Sequence, residues 1–164
     1  MKTTITIALL LISQISLFAH EQITIKTKIF EGPSAIIVHD MNKLSKTKGV
    51  DALSAPQIQT ESGKRGSVVI PGKEAPEIHA IQPFSDIASG VTIRIVPKIE
   101  NGSISFRGQI VVREAVSEGK KHYEIKSREI YVSGTQKVGE ESWFEFAEDE
   151  EGKKIAVCIK ITKE

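Results

Sequence analysis

The dipeptide Asn101-Gly102 stands between two runs of alternating apolar and polar residues, and this arrangement restricts the fold of the chain more than any other feature. Before it, from Gly90 to Ile99, Val91, Ile93 and Ile95 fall on one face; after it a second run extends from Ser103 to Val112. Alternation with period two sends successive side chains to opposite faces of an extended strand. Asn-Gly supplies the positive φ that both central residues of a tight type I′ turn require. The stretch therefore predicts an antiparallel hairpin. Gly108 interrupts the return strand and marks a bulge or a close approach of another backbone.

The same alternation recurs along the chain. Gln22 to Phe30 predicts a half-buried strand, with Ile23, Ile25 and Ile29 on one face and the threonines and lysines on the other. Glu31-Gly32-Pro33-Ser34 ends it. Ala35 to Val38 then either extends the strand or opens a helical turn over His39 to Leu44, and Lys43 to Gly49 forms a basic, solvated connector. From Val50 to Ile70 the chain runs through Leu53-Ser54-Ala55-Pro56, reverses at Ser62-Gly63 and returns through Val68-Val69-Ile70, which predicts a hairpin with a proline-kinked entry. Pro71, Pro76 and Pro83 turn the following stretch into a loop that crosses the domain. Tyr123 to Val132 is a strand whose apolar phase changes between Ile125 and Ile130, so a bulge is expected near Ser127-Arg128. Ser142 to Ala147 and Lys154 to Ile161 close the chain as a hairpin, with Phe144 and Phe146 on one face and Trp143 on the other. The fold class is mainly β, an antiparallel sheet or sandwich of about seven or eight strands with at most one short helix.

Residues 1–19 read as a signal peptide. Met1-Lys2 is basic, Ile5 to Ile12 is apolar and Ala19 follows at a plausible cleavage point. The apolar part falls short of the ~20 residues that a spanning helix needs. Residues 20–164 suffice for a single domain with its own core. A formal net charge of +1 provides no field that would gather nucleic acid or an anionic membrane. An exported chain with the single cysteine Cys158 forms no internal disulfide, so its stability rests on packing, on oligomerisation, or on both. Cys158 lies on the strand face opposite the isoleucines around it and reads as a small, partly buried strand residue rather than a reactive thiol.

Catalytic patterns are missing: no serine, histidine or aspartate stands in a nucleophile-elbow, zinc-protease or phosphate-loop context, so the chain is not expected to be an enzyme or to hold a cofactor. The acidic stretch Glu148-Asp149-Glu150-Glu151 lacks the alternating ligand spacing of a calcium loop and reads as a solvated turn. One metal alternative follows from the leader. Cleavage after Ala19 makes His20 the first residue, and its terminal amine and imidazole could chelate copper in a β-sandwich. A second imidazole would have to come from His39, His79 or His122.

Several of these segments, taken in order, resemble the core domain of the bacterial secretins, the outer-membrane channels of type II and type III secretion systems and of type IV pilus machines. Ile23 to Glu31 resembles the family's opening strand, and Leu53-Ser54-Ala55-Pro56 through Val69 its most recognisable segment. Gly90-Val91-Thr92-Ile93-Arg94-Ile95-Val96-Pro97 resembles its Gly-Val-x-Leu-x-Val-x-Pro strand, and Ser127 to Val132 sits where a late strand follows. The resemblance implies that Leu53, Ser54, Pro56, Gly63, Gly90 and Pro97 are structural determinants of the core. It implies assembly of many copies into a ring whose strands join, with the chain itself or other envelope proteins as partners, in the periplasm or at the outer membrane. The chain departs from the family where periplasmic domains, gate hairpins and a double glycine would stand. Lys26, Lys28, Arg94, Arg107 and Arg113 mark charged outer faces, with no apolar band flanked by aromatic girdles. A soluble, partner-binding β-domain without a pore is the alternative.

Overall fold

The computed structural model describes residues 21–72, 89–117 and 123–163. The leader, His20, His79, His122 and most of the proline-rich loop lie outside the described residues. The strands are β1 (Gln22–Pro33), β2 (Asp51–Ser54), β3 (Gln57–Glu61), β4 (Gly66–Pro71), β5 (Gly90–Glu100), β6 (Ser103–Ser117), β7 (Tyr123–Lys137), β8 (Glu141–Glu145) and β9 (Lys153–Lys163). They form two antiparallel sheets. Sheet A has the order β2-β1-β9-β8, with β3 also paired to β1, and sheet B the order β4-β5-β6-β7. The mainly β architecture is as expected. The strand number rises to nine among the described residues because Ala55-Pro56 splits one run into β2 and β3, both laddered along β1.

The sheets face each other across one core. Ile23, Ile25 and Ile29 of β1 and Ile155, Val157, Ile159 and Ile161 of β9 meet Val91, Ile93 and Ile95 of β5 and Ile104, Phe106 and Ile110 of β6. Each such side chain contributes about 1.5–3 kcal/mol when removed from water, so the paired apolar faces fix the register of every central strand. Phe144 meets Phe106 edge-on at 6.0 Å.

The β5–β6 hairpin is as the sequence predicts: Asn101 has φ 49° and Gly102 φ 80°, and the ladder runs unbroken from Glu100↔Ser103 to Gly90↔Arg113. Gly108 is a close approach and not a bulge, because an added Cβ would lie 2.5 Å from the carbonyl oxygen of Arg94.

Four expectations need correction. The stretch Val50 to Ile70 is not a hydrogen-bonded hairpin: β3 pairs with β1 in sheet A while β4 pairs with β5 in sheet B. The turn at Ser62-Gly63 is a corner that carries the chain from one sheet to the other. Gly66 makes it possible, since a Cβ there would lie 2.5 Å from Ile58 Cγ2. Second, β1 continues through Glu31-Gly32-Pro33, because β9 offers ladder partners as far as Lys153. Third, Thr27 lies with the isoleucines and is 1% exposed, so the threonines of β1 do not all face outward. Fourth, β7 has no bulge; it pairs with β6 without a shift from Ser103↔Lys137 to Ser117↔Tyr123. The phase change arises because Ile125 faces outward, 42% exposed, while the position in phase with the core is taken by Arg128. The loop expected to cross the domain lies, over residues 73–88, outside the described residues; at its described ends the N–H of Gly72 donates to Ser89 O at 3.0 Å.

The open junction after β1 resolves into a 3-10 turn at Ser34–Ile36 and a single helical turn, α1 (Met41–Leu44). Asp40 caps α1, its Oδ1 accepting from the N–H of Asn42 at 3.0 Å and of Lys43 at 3.1 Å. This segment covers the outer face of sheet A, where Phe30, Leu44, Ala156 and Cys158 are buried.

Candidate functional site

The residues singled out by the secretin resemblance fall into two groups. Pro56, Gly63, Gly90 and Pro97 sit at backbone junctions. Pro56 is buried and its carbonyl accepts from Thr27 N–H at 3.0 Å, so it seats the β2–β3 break against β1. Gly63, at φ 78°, turns the corner and donates its N–H to Pro97 O at 2.7 Å. Pro97 is tolerated inside β5 because the β4 ladder ends at Gly66↔Ile95, leaving no partner that needs its missing N–H. Ser62 Oγ, which sequence reasoning passed over, accepts from Ile99 N–H at 3.0 Å and ties the same corner down. Gly90 opens β5 at φ 125°, where an added Cβ would lie 2.1 Å from Ile70 O. Leu53 and Ser54 belong to a different setting: they lie on β2, Leu53 38% exposed and Ser54 opposite Ile29 where the ladder to β1 shifts.

His39 is the histidine that the described residues place. Its Nε2 lies 2.8 Å from Glu145 Oε1 and its ring stacks on Trp143 at 5.5 Å. Trp143 in turn stacks on Phe30 at 6.4 Å. The group pins the α1 segment to sheet A. Hydrogen bonds from Lys154 and then His39 hold the Glu145 carboxyl below its ordinary value. Among the described residues no cluster of three or more histidine, cysteine, aspartate or glutamate side chains is placed to hold a metal ion. Cys158 is fully buried, and burial pushes its thiol up to about 12.

Two polar surfaces were not legible as such. At one end of the sandwich Arg128 of β7 reaches across the gap between the sheets. Its Nη2 donates to Glu31 Oε1 of β1 at 2.5 Å and to Glu114 Oε1 of β6 at 2.6 Å, and its Nη1 to Asp149 Oδ2 at 3.4 Å. Burial works against the charged guanidinium, but the bonds to Glu31 and Glu114 outweigh it and the pKa is raised. Arg128 thus clamps sheet B to sheet A in a cleft of about 630 Å³ floored by Phe146.

The second surface is the outer face of sheet B. Register places Arg94, Gln109 and Tyr131 in one row across β5, β6 and β7, with Val96 and Arg107 paired in the next. Arg94 donates to Gln109 Oε1 at 3.2 Å, and Gln109 donates to Glu129 Oε1 at 2.7 Å. Tyr131 is 76% exposed; hydrogen bonds from Tyr131 and then Gln109 lower the Glu129 carboxyl. With Arg65, these residues line a shallow cup of about 470 Å³.

Sheet edges complete the inventory. β7, 15 residues long, is laddered to β6 on one side and forms one edge of sheet B. Among the described residues no helix is long and apolar enough to cross a membrane.

The fold as a whole is secretin-like, as expected from the sequence. The chain is similar to Aeromonas hydrophila ExeD, at 14% identity and a TM-score of 0.55, over 99% of this chain and 53% of that one. It is also similar to a chain of the ETEC pilotin–secretin AspS–GspD complex, at 12% identity and a TM-score of 0.54, over 98% and 53% of the respective chains. This chain therefore spans about half the length of the structures it matches. Neither a protein-family model nor a curated protein matches the sequence.

Proposed function

We propose that this chain is an exported, non-enzymatic secretin-like domain that acts by self-assembly and by contact with other envelope proteins, in protein secretion across the outer membrane. The observation that carries this reading is the 15-residue edge strand β7. A long edge presents a row of unpaired N–H and C=O groups, and soluble monomers blunt such edges or cover them. Here the described residues leave one side of β7 without a strand, which suits the addition of a strand from a neighbouring copy. The pore-free alternative draws on the outer face of sheet B, where Arg94, Arg107 and Gln109 occupy positions that a bilayer-facing barrel would give to apolar side chains. In that case assembly yields a soluble ring or a partner-binding module.

Expression of the full chain in a bacterial host, followed by native mass measurement of the soluble and membrane fractions, tests the reading. A detergent-stable, high-mass assembly in the outer membrane is the expected result. A high-mass soluble species favours the pore-free form. A monomer at every concentration, in either fraction, contradicts self-assembly.

A further inference from the structure

We propose that the arginine cup on sheet B is a docking site for a second copy of this chain, and that its occupant is the acidic turn Glu148–Glu151 between β8 and β9 of that copy. The inference rests on the self-assembly reading and adds what selects the neighbour.

Glu129 offsets part of the cup's charge, acting on Arg94 and accepting from Gln109 at 2.7 Å, and the rest has no internal partner among the described residues. Among the described residues Arg65 and Arg107 make no ion pair, and both are exposed. Arg94 spends one N–H on the neutral oxygen of Gln109. A guanidinium fork left open in this way matches a carboxylate in geometry as well as charge. Tyr131 offers an exposed ring at the rim, and an aromatic beside arginines is the composition that interface centres favour.

The acidic turn borders the Arg128 cleft, and its outer carboxylates are open to solvent. Asp149 is spent inside it: its Oδ1 accepts from the N–H of Glu151 at 3.0 Å and of Lys153 at 2.8 Å, and its Oδ2 from Arg128. Gly152 closes the turn at φ 73°, its N–H donating to Asp149 O at 3.1 Å. The fixed backbone leaves Glu148 and Glu150 exposed and, among the described residues, without an ion pair. Glu151 is exposed as well, with Lys153 at 2.8 Å. Each copy thus carries an exposed acidic turn and a concave basic cup. With a formal net charge of only +1, copies do not repel one another as wholes and the local fields decide.

Turn and cup lie on different surfaces, the turn at the β8–β9 end of sheet A and the cup on the outer face of sheet B. The contact is therefore heterologous: each copy gives its acidic turn to one neighbour and its cup to another, which generates a ring if the rotation closes. Tyr131 belongs to β7, so a turn seated in the cup lies beside the free edge.

A charge swap tests this on the full processed chain, with sedimentation velocity as the readout and far-UV circular dichroism as the control for folding. Arg65→Glu with Arg107→Glu gives each copy two acidic surfaces; Glu148→Lys with Glu150→Lys gives each copy two basic ones. Each double variant alone is expected to self-associate at least about tenfold more weakly than the wild type. An equimolar mixture of the two restores every contact in opposite-charge form, and association is expected to return to within about threefold of wild type. Raising salt from about 50 mM to about 500 mM weakens the wild-type assembly because exposed charges are screened. Assemblies that form normally in both variants overturn this contact while leaving self-assembly standing. Weakening by the cup variant alone assigns the arginines to another anion and overturns the proposed occupant. A wild-type chain that stays monomeric removes both readings together.

Discussion

Thr27 shows how a single side chain can sit against the grain of the core. Its hydroxyl is buried among isoleucines and, among the described residues, has no hydrogen-bond partner. A buried unsatisfied hydroxyl costs about 1–3 kcal/mol, so Thr27→Val, which keeps the branched shape, is expected to stabilise the fold by about 1 kcal/mol. The check is a higher denaturant midpoint at unchanged slope; a lower midpoint would mean that the hydroxyl has a use. The glycines separate in the same way. Gly63 needs its positive φ but has open space around it, so Gly63→Ala is expected to cost about 1–2 kcal/mol. Gly90 combines positive φ with a backbone carbonyl 2.1 Å from the added atom, and Gly90→Ala should cost more than Gly63→Ala in the same unfolding assay. Cys158, buried and with its thiol raised to about 12, should resist alkylation at pH 8 until the protein unfolds; labelling faster than global unfolding would contradict its placement.

Among the elements, the two pinned by polar groups respond to charge. Arg128 joins three carboxylates with 20% of its side chain exposed. Arg128→Ala is expected to cost about 2 kcal/mol, between the ~1 kcal/mol of exposed pairs and the ~3–5 kcal/mol of buried ones, measured by chemical unfolding. The α1 segment hangs on Glu145, whose carboxyl is lowered in the fold from 4.5. A depressed acid contributes stability that is present above its unfolded value and is lost as pH falls through the folded one. The difference in melting temperature between wild type and Glu145→Gln should therefore be largest near neutral pH and narrow as pH falls below 4.5. A gap that is constant with pH would mean that the carboxylate charge is irrelevant. These elements also show where sequence reasoning stops. The β5–β6 hairpin was legible because Asn101-Gly102 and the alternation around it are local. The Gly63 corner looked like a hairpin because its true partners, β1 and β5, are distant in the chain. The β7 phase change looked like a bulge because Arg128, an ion-paired residue, holds a position that an apolar one would usually mark. The arginine cup was legible only as scattered outward charges, since the register that brings Arg94, Arg107 and Tyr131 together is a tertiary fact.

At the scale of the whole molecule, one sandwich core carries the long edge of β7, the arginine cup beside it and the acidic turn on the other sheet. The overall likeness to a secretin-like fold was legible in the sequence. The use of that fold was not, because edges acquire meaning only from what pairs with them. Hydrogen exchange of β7 in dilute and in assembled protein is the most direct measurement. Alternate amides of β7 already bond to β6, while those between them point away from the sheet. The outward-pointing set is expected to exchange rapidly in the dilute monomer and to become protected on assembly, with the inward set protected in both. Outward amides that exchange equally fast in the assembled protein would show that copies do not join through this edge.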